Sequence, residues 1–153
     1  MKISDEIRIL DLGTGSGYLS FPIAKNNPGC DVIGLDIVNA ALEANRTRAD
    51  VEGIKNLSFV SYDGIDFPFE DDSFDLVVTR YALHHFPDIE HSVGEVSRVL
   101  KNGGKFFISD PCPNECDSKR FVDDYMRLTP IVHVKVYRRR QLTRVTLRVI
   151  IHI

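Results

Sequence analysis

The run Asp11-Leu12-Gly13-Thr14-Gly15-Ser16-Gly17 joins a carboxylate to three glycines at alternate positions. Glycines between a strand and a helix let the backbone turn tightly and approach a ligand with no side chain in the way. The spacing is G-x-G-x-G, not the dinucleotide fingerprint G-x-G-x-x-G. A carboxylate just before the glycines repels a pyrophosphate and attracts an amino group. The run therefore favours a zwitterionic ligand carrying an ammonium, although glycines at such a turn also serve packing alone. Asp36 closes a second apolar run, where a carboxylate can accept both hydroxyls of a ribose. Asp63, followed by Gly64, closes a third run and adds another acceptor to the same rim.

Other reactive residues carry less. His84 and His85 invite a general-base reading because histidine is the residue type best suited to one, but a base must first be placed against a proton, so no catalytic residue is assigned. Cys112 and Cys116 have a C-x3-C spacing that zinc can use, yet no second ligand pair stands near them and His133 is distant. No metal is expected there.

These residues need elements to hold them. Short apolar runs alternate with longer amphipathic stretches. Ile7–Leu12, Asp31–Asp36, Leu57–Tyr62, Phe74–Thr79 and Lys105–Asp110 read as strands. Gly17–Asn26 reads as a helix with a kink at Pro22, and Asn39–Glu52 as a second, with Asn39 as N-cap and Gly53 as its stop. Asp88–Leu100 reads as a third, with Ile89, Val93, Val96 and Leu100 on one face and Lys101-Asn102-Gly103-Gly104 ending it. Residues 67–72 read as a surface loop anchored by two aromatics. Alternating strands and helices predict βαβ units and an α/β fold with an open, mostly parallel sheet.

Composition narrows the class. At 153 residues the chain is about one domain, with 43% hydrophobic and 27% charged residues. The mean hydropathy of -0.11 argues against a membrane protein. No signal-type apolar segment opens the sequence and the cysteine count is odd, so reduced thiols and a cytoplasmic location are expected. Residues 1–124 hold 12 basic against 22 acidic residues, whereas 125–153 hold seven basic and none acidic. The acidic body argues against general nucleic-acid binding.

The motifs together resemble the class I S-adenosylmethionine-dependent methyltransferases, in the ubiquinone/menaquinone-biosynthesis methyltransferase-like branch. The matching segments are IRILDLGTGSGYLS (7–20), VIGLDI (32–37), SYDGIDFPFEDDSFDLVVTRYALHHFPD (61–88) and EVSRVLKNGGKFFISDP (95–111). The resemblance implies a Rossmann-like fold with helices on both faces and S-adenosyl-L-methionine as cofactor. It implies that Asp11, Gly13, Thr14, Gly15 and Gly17 wrap the methionine portion, with Asp11 helping to neutralise the ammonium. Asp36 would hold the ribose hydroxyls, and Ile37 would pack on the adenine. Asp63 would read the adenine amino group, with Gly64 leaving room for the ring. Arg80 and Tyr81 would line the methionine end and the reaction centre. In the family the His-His-Phe-Pro stretch occurs with different substrates, so a positioning role suits His84 and His85 at least as well as a base.

The resemblance implies methyl transfer to a small-molecule acceptor by in-line displacement. A cofactor-binding module without turnover is the alternative, because acceptor-side elements are shortened or missing. A nucleotide-dependent oxidoreductase is disfavoured by Asp11 and the glycine spacing. Residues 1–128 are expected to form the methyltransferase core, ending in a helix over Ser118–Leu128. Residues 129–153 form an atypical basic tail, in which Ile131–Tyr137 and the alternating 145–153 suit two strands of a hairpin. Three readings of that tail stand open: a compressed closing hairpin, a partner or homo-oligomer contact, or an altered end outside family sequence. The chain is also shorter than typical members at both ends. Asp36, as a strand-end acid, is expected to matter little to stability without ligand.

Overall fold

The computed structural model describes residues 6–110 and 148–149. Six strands form one sheet: β1 (Arg8–Leu12), β2 (Asp31–Asp36), β3 (Leu57–Ser61), β4 (Phe74–Arg80), β5 (Leu100–Ser109) and β6 (Arg148–Val149). Their order is β3-β2-β1-β4-β5-β6, and every pairing is parallel. The chain steps outward from β1 through β2 to β3, then returns to lay β4 on the other side of β1. This reversal leaves a crevice beyond the carboxyl ends of β1 and β4, the place where open α/β sheets bind ligands.

Helices α1 (Ser20–Asn26), α2 (Asn39–Glu52) and α3 (Ile89–Val99) cover the two faces. Strand residues alternate between faces, so two cores result. Ile9, Val32, Phe59, Leu76 and Val78 pack with Phe21, Ala24 and Leu42 on the α1 and α2 side. Leu10, Leu12, Ile33, Leu35, Val77 and Phe106 pack with Ile89, Val96 and Val99 on the α3 side. The expected α3 face is correct, with Val93 and Leu100 half-buried against the same cluster. On β1 the residue that shares the α1 face with Ile9 is Asp11.

Several boundaries differ from expectation for physical reasons. Gly17 adopts φ +76°, a left-handed conformation that no α-helix uses, so α1 begins at Ser20. Pro22 then falls in the first turn, where amides have no partner within the helix, and the expected kink has no cause. Asn39 is the first helical residue of α2 and Val38 is the N-cap, with no side-chain cap. Gly53 ends α2 in a left-handed C-cap as expected. Residues 101–104, read as a helix stop, lie within β5, where a register shift pairs Phe74 with Leu100 and Leu76 with Lys105. That shift absorbs the glycine-rich turn as a bulge.

Beyond β5, Arg148 and Val149 pair in parallel with Phe107 and Ile108, where the resemblance implies antiparallel closing strands. A parallel neighbour needs a crossover of a dozen or more residues, and the intervening chain is long enough. The Ser118–Leu128 helix, the Ile131–Tyr137 strand, Cys112 and Cys116 lie outside the described residues. Among the described residues, no helix is long and apolar enough to cross a membrane.

The 67–72 loop is held by more than its aromatics. Phe67 is buried and Phe69 meets Phe74 edge-on at 4.9 Å. Glu95 accepts from the Phe67 amide (2.8 Å) and from Nε and Nη2 of Arg98 (both 2.7 Å). Arg98 also donates to the carbonyls of Phe67 (3.0 Å) and Phe69 (2.7 Å) and to Asp71 (2.8 Å). Hydrogen bonds from Arg98, followed by the Phe67 amide, outweigh burial and hold the Glu95 carboxyl down at about 2. A lowered carboxyl contributes stability above its ordinary value of 4.5 and loses it as pH falls through about 2. Urea denaturation at stepped pH should therefore show the wild type losing stability between those values. Glu95→Gln should be less stable at neutral pH and flatter across that range; parallel profiles would disprove the clamp.

Candidate cofactor site at the carboxyl rim

The glycine-rich loop is ordered from inside by a single oxygen. Asp11 is buried, and its Oδ2 accepts from the Ser20 amide (3.1 Å), Ser20 Oγ (2.5 Å) and Thr14 Oγ1 (2.8 Å). Thr14 Oγ1 and Ser20 Oγ lie 2.7 Å apart, closing a three-residue network. Burial pushes the Asp11 carboxyl above its ordinary range, the hydrogen bonds from Ser20 and Thr14 oppose that, and the nearby Asp36 charge adds to it. Oδ2 of Asp11 is thus given to the loop and to the first residue of α1.

The loop's own amides are also engaged. Those of Gly13 and Thr14 donate to the Leu35 carbonyl at 2.8 and 3.1 Å, and that of Gly17 donates to the Thr14 carbonyl at 2.8 Å. The Gly15 amide donates to Asp36 Oδ2 at 2.7 Å. From α2, buried Asn45 donates to the Gly15 carbonyl at 2.8 Å. At Gly13, with φ +70°, a Cβ would stand 2.4 Å from Ala82 Cβ, so only glycine permits the turn after β4 to close on the loop. The loop is thus bound to β2, α2 and the β4 turn before any ligand arrives.

Asp36 is buried, and its other oxygen accepts from the Val38 amide at 2.9 Å. Each carboxylate oxygen has two lone pairs, so acceptor capacity remains for hydroxyls. The idea that Asp36 matters little to unliganded stability is corrected: it satisfies two amides of flanking turns. Ile37 is exposed, and a Cβ on Gly64 would lie 3.4 Å from its Cγ2, so the ends of β2 and β3 border one space. Asp63 gives Oδ1 to the amides of Ile65 (2.8 Å) and Asp66 (3.1 Å). Tyr62, beside Asp36 and Asp63, has its hydroxyl pushed up to about 12, first by burial and then by those two charges. Tyr62 therefore stays neutral and leaves the rim's charge to the two acids.

Arg80 and Tyr81 complete the rim at β4. The Arg80 guanidinium lies 4.1 Å from the Tyr18 ring centre and 4.5 Å from that of Tyr81. Tyr81 takes φ +51°, a strained value for an aromatic residue, and its amide donates to the Ser109 carbonyl at 2.9 Å. Five large apolar side chains at these strand ends, Tyr18, Ile37, Val38, Ile65 and Tyr81, are exposed. Exposed apolar side chains beside acids suit an aromatic, hydroxylated ligand.

The sequence reading missed Ser20, Asn45 and Asp110. Asp110, just past β5, accepts from the amides of Ala82 (3.2 Å) and Leu83 (2.8 Å) through Oδ2, and its Oδ1 pairs with buried His84 Nδ1. It fixes the short 3-10 turn Leu83–His85, which Ala82 leads against Gly13. An acid at a strand end was the available signal, as at Asp36 and Asp63. This contact ties His84 to Asp110, just past β5. Elsewhere, Asp66, His91 and Glu95 bring ligand atoms within 4.8 Å of one another. Glu95 already faces Arg98 with both oxygens, and that guanidinium would repel a cation.

A parallel sheet reversed between β1 and β4, with a glycine loop and acids at successive strand ends, defines an α/β domain that binds a nucleoside-type ligand. The chain belongs to the class I S-adenosylmethionine-dependent methyltransferases, in the ubiquinone/menaquinone-biosynthesis methyltransferase-like branch: the family model described as Methyltransferase domain matches residues 3–138. It is 36% identical over 131 residues to the uncharacterized methyltransferase YcgJ of Bacillus subtilis, covering 85% of this chain and 51% of that protein. It is 36% identical over 101 residues to the demethylmenaquinone methyltransferase of Thermus thermophilus, covering 66% of this chain and 46% of that one. The crystal structure of YcgJ from Bacillus subtilis superposes with a TM-score of 0.83 at 33% identity, over 92% of this chain and 59% of that one. The chain thus spans about half the length of the curated relatives it matches.

The Asp11 network makes a prediction for the ligand-free protein. Asp11→Ala strands three buried or half-buried donors and should cost about 3 kcal/mol or more in chemical denaturation. Asp11→Asn keeps an acceptor oxygen in place and should cost about 1 kcal/mol. Equal costs for the two variants would show that the loop does not depend on that acceptor.

Proposed function

We propose that this domain binds S-adenosyl-L-methionine along the carboxyl rim of β3, β2, β1 and β4 and transfers its methyl group to a small-molecule acceptor in the cytoplasm. The observation that carries this reading is the rim itself: a pre-ordered glycine loop between Asp36, which retains acceptor capacity, and an exposed apolar border. The residues fit the cofactor's chemistry. Asp36 would take the ribose hydroxyls, Ile37 would cover one face of the adenine beside Gly64, and Asp63 would accept from the adenine amino group. Gly13, Thr14, Gly15 and Gly17 would border the methionine portion, with Arg80 and Tyr81 at its far end. Asp11 acts one step back, by holding the loop in shape.

When bound, the cofactor supplies a methyl group made electrophilic by its sulfonium. The chain's own task is then chiefly alignment, which can supply much of a rate enhancement. The loop's prior hydrogen bonds favour that role, because its ordering cost is met on folding and not on binding. Asp110 contributes by fixing the 82–84 turn beside Gly13.

Calorimetry should show S-adenosylmethionine and S-adenosylhomocysteine binding at 1:1, with no response to NAD. Asp36→Ala should weaken that binding by about 1.5–3 kcal/mol per charged hydrogen bond lost, and lower ligand-free stability by about 1 kcal/mol. NAD binding without response to the sulfur ligands would sink the reading. Unchanged affinity in a folded Asp36→Ala variant would remove Asp36 from the site.

A further inference from the structure

The turn after β4 carries an aspartate–histidine pair that cofactor binding does not use. The glycine loop meets this turn directly: a Cβ on Gly13 would run into Ala82 and lie 3.7 Å from the Phe86 ring. His84 and His85 fall between those two contacts, in the 3-10 turn Leu83–His85. Asp110 reaches them from just past the end of β5. The pair therefore stands where the carboxyl ends of β4 and β5 adjoin, away from Asp36 at β2 and Asp63 at β3. A cofactor laid along β3, β2, β1 and β4 ends beside it, on the side left for a second reactant.

Holding the turn does not by itself call for a histidine. Asp110 Oδ2 already accepts from the amides of Ala82 and Leu83, at 3.2 and 2.8 Å. Its Oδ1 is given to Nδ1 of His84, the buried one among the described histidines. A neutral imidazole that donates from Nδ1 carries its lone pair on Nε2, across the ring from the carboxylate. That carboxylate also stabilises the imidazolium formed when Nε2 takes a proton. The His85 ring lies 4.0 Å away, centre to centre, at a 46° tilt, and limits rotation of the His84 ring. A fixed tautomer, a restrained ring and an orienting carboxylate are what a general base requires.

We propose that His84, oriented by Asp110, is the general base of the methyl transfer and takes the proton that the acceptor loses. The inference rests on the cofactor reading above and adds the residue that activates the acceptor. The proton of an acceptor hydroxyl passes to His84 Nε2 while the acceptor's electron pair forms its bond to the methyl carbon. The methyl–sulfur bond breaks with its pair going to sulfur, so the sulfonium ends as a neutral thioether. Nε2 then releases the proton to solvent, and Asp110 stays ionised throughout. His84 is the catalytic residue of the pair and Asp110 the positioning one.

Proton transfer can be read without turnover. The full chain is saturated with S-adenosylhomocysteine, with occupancy followed by calorimetry, and titrated with 4-nitrophenol at a pH below that phenol's own pKa. Its phenolate absorbs visible light and its neutral form does not. Wild type should bind it with a phenolate fraction about tenfold above that in buffer, the factor that one pKa unit supplies. His84→Gln should return the fraction to the buffer value, Asp110→Asn should lower it, and His85→Gln should retain it. Nitrogen-15 NMR of the wild type should find His84 as the tautomer protonated at Nδ1. A tautomer protonated at Nε2, a wild-type fraction in His84→Gln, or loss in His85→Gln alone would overturn the assignment. So would a wild type that binds S-adenosylhomocysteine but not the phenol, or that leaves the bound phenol neutral. Each of these leaves the cofactor reading intact, whereas failure to bind S-adenosylhomocysteine overturns both. His84→Gln spares the bonds from Asp110 to the two amides, and the tautomer needs no variant, so the test stands even if Asp110→Asn does not fold.

Discussion

One buried oxygen, Asp11 Oδ2, carries the conformation on which the site depends. A carboxylate at the end of the central strand is costly to bury, and donors from Ser20 and Thr14 compensate for it. In accepting them, it fixes the exit of the glycine loop and the entry of α1 together. Without that acceptor, Ser20 and Thr14 would compete for each other and the loop would lose its inner anchor.

The same device recurs along the sheet. Asp36 takes the Gly15 and Val38 amides, Asp63 those of Ile65 and Asp66, and Asp110 those of Ala82 and Leu83. Each acid caps the irregular backbone that leaves or meets a strand, where sheet hydrogen bonding has ended. Parallel strands direct all these turns to one edge, so acids that serve structure also gather into a single rim. What distinguishes them is position: Asp11 faces inward between β1 and α1, while Asp36 and Asp63 border the exposed apolar side chains Ile37, Val38 and Ile65.

The α3 side supports that edge from below. Glu95 and Arg98 pin the 67–72 loop, and Phe67 and Phe69 fill the space beneath it. The β4 turn is set separately by Asp110, which brings Ala82 against Gly13. The two halves of the crevice therefore come from different supports, the glycine loop from Asp11 and Asn45 and the β4 end from Asp110. The likeness to YcgJ extends over this whole arrangement, while about half of such relatives' length has no counterpart in this chain.

The elements and the rim were legible in the sequence because their signals are local. Apolar runs of strand length, helical spacing at Ile89, Val93 and Val96, and glycines between Asp11 and α1 each report on a few neighbouring residues. Even the family resemblance rested on four contiguous segments. Boundaries failed where a backbone angle intervened, as at Gly17, or where a register shift turned a glycine-rich stop into part of β5. The allocation of lone pairs was not legible. Whether Asp11 serves a ligand or Ser20, whether the Gly15 amide is satisfied by Asp36, and whether Asp110 holds the β4 turn depend on partners 9, 21 and about 28 residues apart in the chain. Residue types and spacing determine which groups reach the sheet's edge; only the packed chain decides which hydrogen bonds they complete there, because a lone pair goes to whichever donor the fold places within about 3 Å of it.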